Sequence, residues 1–195
     1  PGSGCVIIYE SQSFIEGSHI YALAIDGNGQ VPNGWPVILS DLSGDQYYES
    51  STLTDYGFFI SFRDNSSGDG GYDVYGQHVL FNADLDFGSS GKVISDGSND
   101  QQSSSLAYDP DRKKVFVCYE FTNGSDTDLY CNEISLEPII IHQSIPIAIY
   151  DGSNQGKPFV YWSGFSYLIT WEDSRNSTAT NPEQDIYFQE IKGGE

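Results

Sequence analysis

The chain of 195 residues is long enough for one sizeable core, and 28 acidic against 8 basic residues give a formal charge of −20. That balance excludes nucleic acid as a partner, which needs a basic footprint, and equally excludes anionic membrane surfaces. No apolar run is long enough to insert into a bilayer, so neither membrane insertion nor a membrane partner is expected.

Taken in chain order, the apolar runs come in pairs. CVIIYES at 5–11 is followed by HIYALAI at 19–25, FFISFRD at 58–64 by DVYGQHV at 73–79, VFVCYEF at 115–121 by DLYCNEI at 128–134, and LITWEDS at 168–174 by DIYFQEI at 185–191. Tyr9, Phe62, Tyr119 and Trp171 align in the first member of each pair, and Tyr21, Tyr75, Tyr130 and Tyr187 in the second. Between pairs a turn recurs: DLSGDQ at 41–46, DGSNDQ at 96–101 and DGSNQG at 151–156, with Asp41, Asp96 and Asp151 spaced by 55 residues. A fixed long period means that one supersecondary unit is stacked repeatedly. The complete third unit reads as SSSLAYD, KKVFVCYEF, DLYCNEISL and PIAIYDG, four short β-rich runs divided by Gly, Asn, Asp and Ser turns. No stretch has helical periodicity, and the inner runs are almost continuously apolar, as in strands covered on both faces. The expected fold is therefore all-β: a β-propeller of about four blades, each a four-stranded antiparallel repeat. The repeats span approximately 1–45, 46–100, 101–155 and 156–195 of a single domain. The first unit is expected to lack its innermost strand and the last its outermost, leaving about fourteen strands and a partial propeller with open blade edges. Such edges invite self-assembly, or completion by further sequence of a longer polypeptide, and the absence of Met agrees with the latter.

WEDSRN at 171–176 followed by DIYFQ at 185–189 resembles the blade repeat of secreted bacterial β-propeller proteins, roughly W-E-D-x-R-x-G and then D-I-Y-x-Q. FRDN with DVYGQ and YEFTNG with DLYCN are weaker copies, and the first unit departs furthest, with His19 where the others carry Asp. The resemblance covers nearly the whole chain and implies an extracellular or cell-surface setting, without supplying an activity.

Alternating strand direction puts the loops between second and third strands on the same face as the blade crossings. That face collects acidic, hydroxyl and amide side chains, the ligands that hard cations such as calcium prefer. Turns demand the same residues for conformational reasons, and no loop has the Asp-x-Asp-x-Asp-Gly calcium spacing. Asn65, Asn123 and Asn176 each begin an N-x-S/T triplet in these loops and are candidate N-glycosylation sites. Cys118 and Cys131 flank one expected hairpin and could form a cross-strand disulfide or remain two buried thiols, while Cys5 falls at a core position of the repeat.

Catalytic patterns are sparse. His19, His78 and His142 lie far apart in the repeat, with no nucleophile or zinc motif beside them. Only Arg63, Arg112 and Arg175 could hold a substrate carboxylate, and the Glu172–Asp173 pair sits at a strand end where turn capping is its ordinary use. The sequence alone thus points to an extracellular, non-catalytic binding or structural module that meets a protein or glycan partner at its acidic loop face. The alternative is a fragment of a glycan-active enzyme of sialidase or glycosidase type.

Overall fold

In the computed structural model, which describes residues 4–13, 17–68, 70–142 and 144–192, all regular structure is β. The strands form four antiparallel sheets that follow the repeat. The first contains β1 (Cys5–Ser13), β2 (Gly17–Ile25) and β3 (Val37–Ile38), and the second β4 (Gln46–Leu53), β5 (Gly57–Asp64), β6 (Asp73–Leu80) and β7 (Lys92–Ser95). The third contains β8 (Gln101–Asp109), β9 (Lys114–Asn123), β10 (Asp126–Leu136), β11 (Ile139–Ile141) and β12 (Ile145–Ala148). The fourth has β13 (Gln155–Trp162), β14 (Ser166–Asp173) and β15 (Asp185–Lys192). Within the described residues the first sheet has no strand on the inner edge of β1, and the fourth none beyond β15. The third sheet carries one strand more than the repeat implies. The segment Ile139–Ile141 folds back on the end of β10, while β12 pairs with the same strand nearer its start.

The sheets pack face to face in sequence order. Ile20, Ala22, Trp35 and Leu39 of the first unit meet Phe58, Ile60, Phe62 and Val79 of the second. Phe59, Val74 and Ile94 of the second meet Val115, Val117, Tyr119 and Ile134 of the third. Phe116, Cys118, Leu129 and Cys131 of the third meet Val160, Tyr167, Ile169 and Trp171 of the fourth. Among the described residues no cluster joins the fourth sheet to the first, and the stack does not close. This placement explains the strand patterns. GFFISFRD is buried at seven of its eight positions because a sheet covers each face. SYLITWED alternates because only one face is covered, and on the open side Phe159, Tyr161, Ile186 and Phe188 are 57–74% exposed.

The recurrent turn has a physical explanation. Its last Asx accepts the backbone N–H that opens the third strand of the preceding unit: Asp45 from Ser18 (3.0 Å), Asp100 from Tyr72 (2.9 Å) and Asn154 from Thr127 (3.1 Å). The following Gln46, Gln101 and Gln155 are fully buried, and each amide donates back into its own turn, to Leu42 O, Asn99 O and Ser153 Oγ. These bonds pair the buried amide N–H₂ groups, which gives Gln a structural use after the Asx of each crossing.

Cys118 and Cys131 face each other across β9 and β10 and are joined by a disulfide inside the core between the third and fourth sheets. Closing a loop of this size, with a separation of 13 residues, removes about 3 kcal/mol of unfolded-state entropy. Cys5, expected at a core position of the repeat, is instead a free, exposed thiol, because among the described residues no sheet covers the outer face of β1.

Candidate functional site

The innermost strands β4, β8 and β13 share one irregularity. Each carries a register shift close to its first residues, at Tyr48/Ser50, Gln102/Ser105 and Gly156/Phe159. A bulge takes backbone out of the ladder and re-aims side chains. At these points the neighbouring sheets supply the missing hydrogen-bond partners. Glu10 of β1 accepts from Tyr48 N (2.9 Å), Glu49 of β4 accepts from Ser103 N and Ser104 N (2.7 Å each), and Glu120 of β9 accepts from Lys157 N (2.7 Å). Ser103 and Lys157 have positive φ values, 55° and 51°, which turn those N–H groups out of the strand. Gly156 is matched to this bridge: a Cβ there would lie 2.6 Å from Glu120 Oε1 and push the carboxylate aside.

Two cations lie beside these bulges. Arg63, at the repeat position of Glu10 and Glu120, donates to Gln102 Oε1 (2.8 Å), and its guanidinium lies 5.0 Å from the Tyr47 ring and 4.9 Å from the Tyr72 ring. Lys157 Nζ pairs with Glu172 Oε2 at 2.9 Å. An arc therefore runs across all four sheets, carrying Glu10, Glu49, Glu120 and Glu172 with Arg63 and Lys157 between them. Glu49 and Glu120 approach the β8 bulge and its neighbour from adjacent sheets. Burial pushes the Glu49 carboxyl above the usual range, opposed by the hydrogen bonds from Ser104 and Ser103. Glu120 engages one oxygen in its backbone bridge.

At the other end of the strands, Thr54 Oγ1 lies 2.9 Å from His78 Nε2, and His78 Nδ1 lies 2.7 Å from Asp86 Oδ2. The cluster lines a cavity of about 440 Å³ between the second and third sheets. With the imidazole 2% exposed and both its nitrogens engaged, this relay ties the β4–β5 turn to the connection after β6. His19 and His142 are remote from it, hydrogen-bonded to Gln46 and Ser135 respectively.

Glu172 and Asp173, adjacent in sequence, point to opposite environments. Asp173 is buried, accepting from Trp171 Nε1 (3.1 Å) and Arg175 N (2.9 Å) and pairing with the Arg175 guanidinium. Arg175 in turn lies between the rings of Tyr150 and Tyr187. The Trp-Glu-Asp-x-Arg motif is thus a cap in which Trp, Asp and Arg interlock and Glu alone faces the inner arc. Burial raises the Asp173 carboxyl, but the hydrogen bonds from Arg175 and Trp171 outweigh it and hold the group below the ordinary range. A carboxyl lowered in the folded state stabilises the fold above its unfolded pKa, and that contribution is lost as pH falls through the lower folded value. Urea unfolding between pH 6 and pH 2 is expected to show stability falling below about pH 4, with a shallower fall in Asp173→Asn. An unchanged slope in that variant would remove Asp173 as the origin.

Several side chains of the acidic loop face hold the fold together. Asp45, Asp100 and Asn154 serve the crossings, Asp73 and Asp126 accept from Gly97 N and Gly152 N, and Asp41 accepts from Ser90 Oγ. Among the described residues no group of three or more His, Cys, Asp or Glu side chains is arranged to hold a metal ion. Of the three sequon asparagines, Asn123 and Asn176 are exposed, the latter donating to Asp185, whereas Asn65 is half-buried and accepts from Asp45 N.

No family model and no curated protein matches this sequence. Among solved structures, the chain is similar to the GH93 α-L-arabinofuranosidase of Fusarium graminearum in complex with arabinobiose. The TM-score is 0.56 at 12% identity, over 97% of this chain and 59% of that one. It also matches an exo-1,5-α-L-arabinanase from a bovine ruminal metagenomic library, with a TM-score of 0.49 at 10% identity, over 96% of this chain and 70% of that one. The likeness is one of fold. The chain spans 59% of the length of the first structure, in keeping with an all-β, propeller-like stack that does not close. The non-catalytic binding or structural module expected from sequence is corrected by this finding: the solved structure that the chain resembles in fold is a glycoside hydrolase, which fits the alternative reading better. Contiguous pairs such as Glu172–Asp173 stand out in the sequence, whereas Glu10, Glu49 and Glu120 are scattered over 110 positions and do not. The available signal was the repeat itself: Glu10, Arg63, Glu120 and Glu172 each follow the aligned aromatic residue by one position.

Proposed function

We propose that this chain is part of an extracellular, glycan-active propeller enzyme, with its chemistry on the arc that crosses its four sheets. The observation that carries this reading is the arc of four glutamates, Arg63 and Lys157 along the bulges of the inner strands β4, β8 and β13, with Glu49 and Lys157 on inner strands and Glu10, Arg63, Glu120 and Glu172 on the strands beside them. Glycoside hydrolysis requires one carboxyl that holds a proton for the leaving oxygen and a second, ionised one that acts on the anomeric carbon or on a water. Glu49, raised by burial, is suited to the first role, and Glu120, with one oxygen outside its backbone bridge, to the second. Tyr47 and Tyr72, held around Arg63, offer ring faces for a sugar. The fold likeness to an enzyme described with arabinobiose makes arabinose-containing oligosaccharides the first substrates to try. The disulfide and the polymeric nature of such substrates support an extracellular setting.

The test is incubation of the purified chain with a panel of arabino-, xylo- and gluco-oligosaccharides. Released sugar is read chromatographically, and thermal unfolding with each oligosaccharide is run in parallel, since a ligand of the native state must raise its apparent stability. Neither product nor a thermal shift from any member of the panel would end this reading.

A further inference from the structure

The second, third and fourth sheets each have an inner strand, β4, β8 and β13, paired along the strand that carries the aligned aromatic residue. In the first sheet that strand is β1. Its inner edge has no partner among the described residues, so it presents a row of unpaired backbone groups. Alongside this edge runs a groove of about 590 Å³, walled by Val6, Ile8 and Ala24 of the first sheet and by Leu53, Phe58 and Phe81 of the second. Leu53 and Phe81 are 70% and 57% exposed. The repeat equivalents of Leu53, which are Tyr108 and Trp162, are instead packed partly buried against the preceding sheet. The groove is thus the space that an inner strand fills elsewhere in the same molecule.

We propose that the free edge of β1 accepts an extended peptide strand of the inner-strand kind, which completes the first sheet by strand addition. The repeat sets its register. Val6 corresponds to Phe59, Phe116 and Leu168, which pair with Thr52, Ala107 and Tyr161, while Ile8 corresponds to Ser61, Cys118 and Thr170, which pair with Ser50, Ser105 and Phe159. Strand partners share a face, so the incoming residues opposite Val6 and Ile8 point into the groove. Its apolar walls select large apolar side chains there. β13 carries that pattern, with Phe159 and Tyr161, whereas β4 and β8 carry Ser, Thr or Ala. The proposal does not depend on catalysis.

Cys5 makes the register measurable. Its repeat equivalents Phe58, Val115 and Tyr167 pair with Leu53, Tyr108 and Trp162, so the residue at the Trp162 position of an added strand lies directly opposite Cys5. Directly opposed cysteines bond in this fold, as Cys118 and Cys131 do. The probe is a synthetic peptide of residues 155–162 carrying Trp162→Cys, incubated with the intact chain in a glutathione redox buffer and read by intact mass. A peptide carrying Tyr161→Cys serves as the shifted control. A one-residue slip moves a side chain to the other face, so the in-register peptide is expected to give about tenfold more mixed disulfide than the control. The Cys5→Ser chain is expected to capture neither. Equal capture of the two peptides, or no capture, would overturn the proposal. Formation of Cys5–Cys5 dimers in place of the mixed disulfide would also overturn it, by showing that a second copy takes the edge.

Discussion

Glu120→Gln is expected to lower glycan hydrolysis by about 10²–10⁴-fold, the usual worth of a positioned acid–base group, while leaving oligosaccharide binding and the unfolding midpoint nearly unchanged. The amide oxygen of Gln can still accept from Lys157 N, so the bridge between the third and fourth sheets survives and only the ionisable group is removed. Glu49 is a different case. Both of its oxygens accept backbone N–H groups, and a Gln there would turn its own N–H₂ toward one of those donors. Glu49→Gln is therefore expected to lose activity to a similar extent and also about 1–3 kcal/mol of stability. The pH profiles separate the two roles. Because burial raises Glu49, the wild type should lose activity as pH rises through that raised value, and Glu49→Gln should no longer show this alkaline limb. The measurements are steady-state rates on the oligosaccharide that the wild type cleaves fastest, together with urea unfolding of each variant. Full activity in both variants would remove the inner arc as the catalytic centre, even if the chain proves to be a glycosidase.

The same residue position in two repeat units should differ widely in its contribution to stability. Phe62→Ala is expected to cost about 3–5 kcal/mol, because it empties a core site where the ring is fully buried between the first and second sheets and stacked on Tyr75 at 5.8 Å. Tyr9 is its equivalent in the first unit and also stacks on its neighbour, Tyr21, at 5.4 Å. Among the described residues no sheet covers that face, however, and Tyr9 is 36% exposed, so Tyr9→Ala is expected to cost about 1 kcal/mol. Urea denaturation of both variants under one set of conditions gives the comparison. Equal losses would mean that the outer face of β1 is covered in solution.

How far these features can be read without coordinates depends on whether the interaction that dictates them is local. The repeat is local: the Asp, Gly and Asn residues of the turns at 41, 96 and 151 and the aligned aromatic residues are dictated by backbone conformation and strand burial within each unit, so they recur visibly in the chain. The shortened first and last units follow from the same alignment, and the three-stranded first and fourth sheets agree with it. Asp45, Asp100 and Asn154 were legible as turn residues, although their partners in the preceding unit were not. The extra strand Ile139–Ile141 was not legible, because a three-residue apolar stretch takes its conformation from the strand it lands on.

The repeat marks positions of the inner arc in the sequence, but their assembly lies beyond it for a related reason. Glu10, Glu49 and Glu120 stand on three strands in three units, and a glutamate after an aromatic residue reads as an ordinary strand end. Only the packing of one sheet on the next brings Glu10 to Tyr48, Glu49 to Ser103 and Ser104, and Glu120 to Lys157, and only the bulges turn those N–H groups outward. Turn chemistry acts over a few residues of one chain segment, where residue identity records it. A site assembled across sheets depends on contacts between segments about 40–55 residues apart, and those distances exist only after the apolar faces have excluded water and fixed the stack.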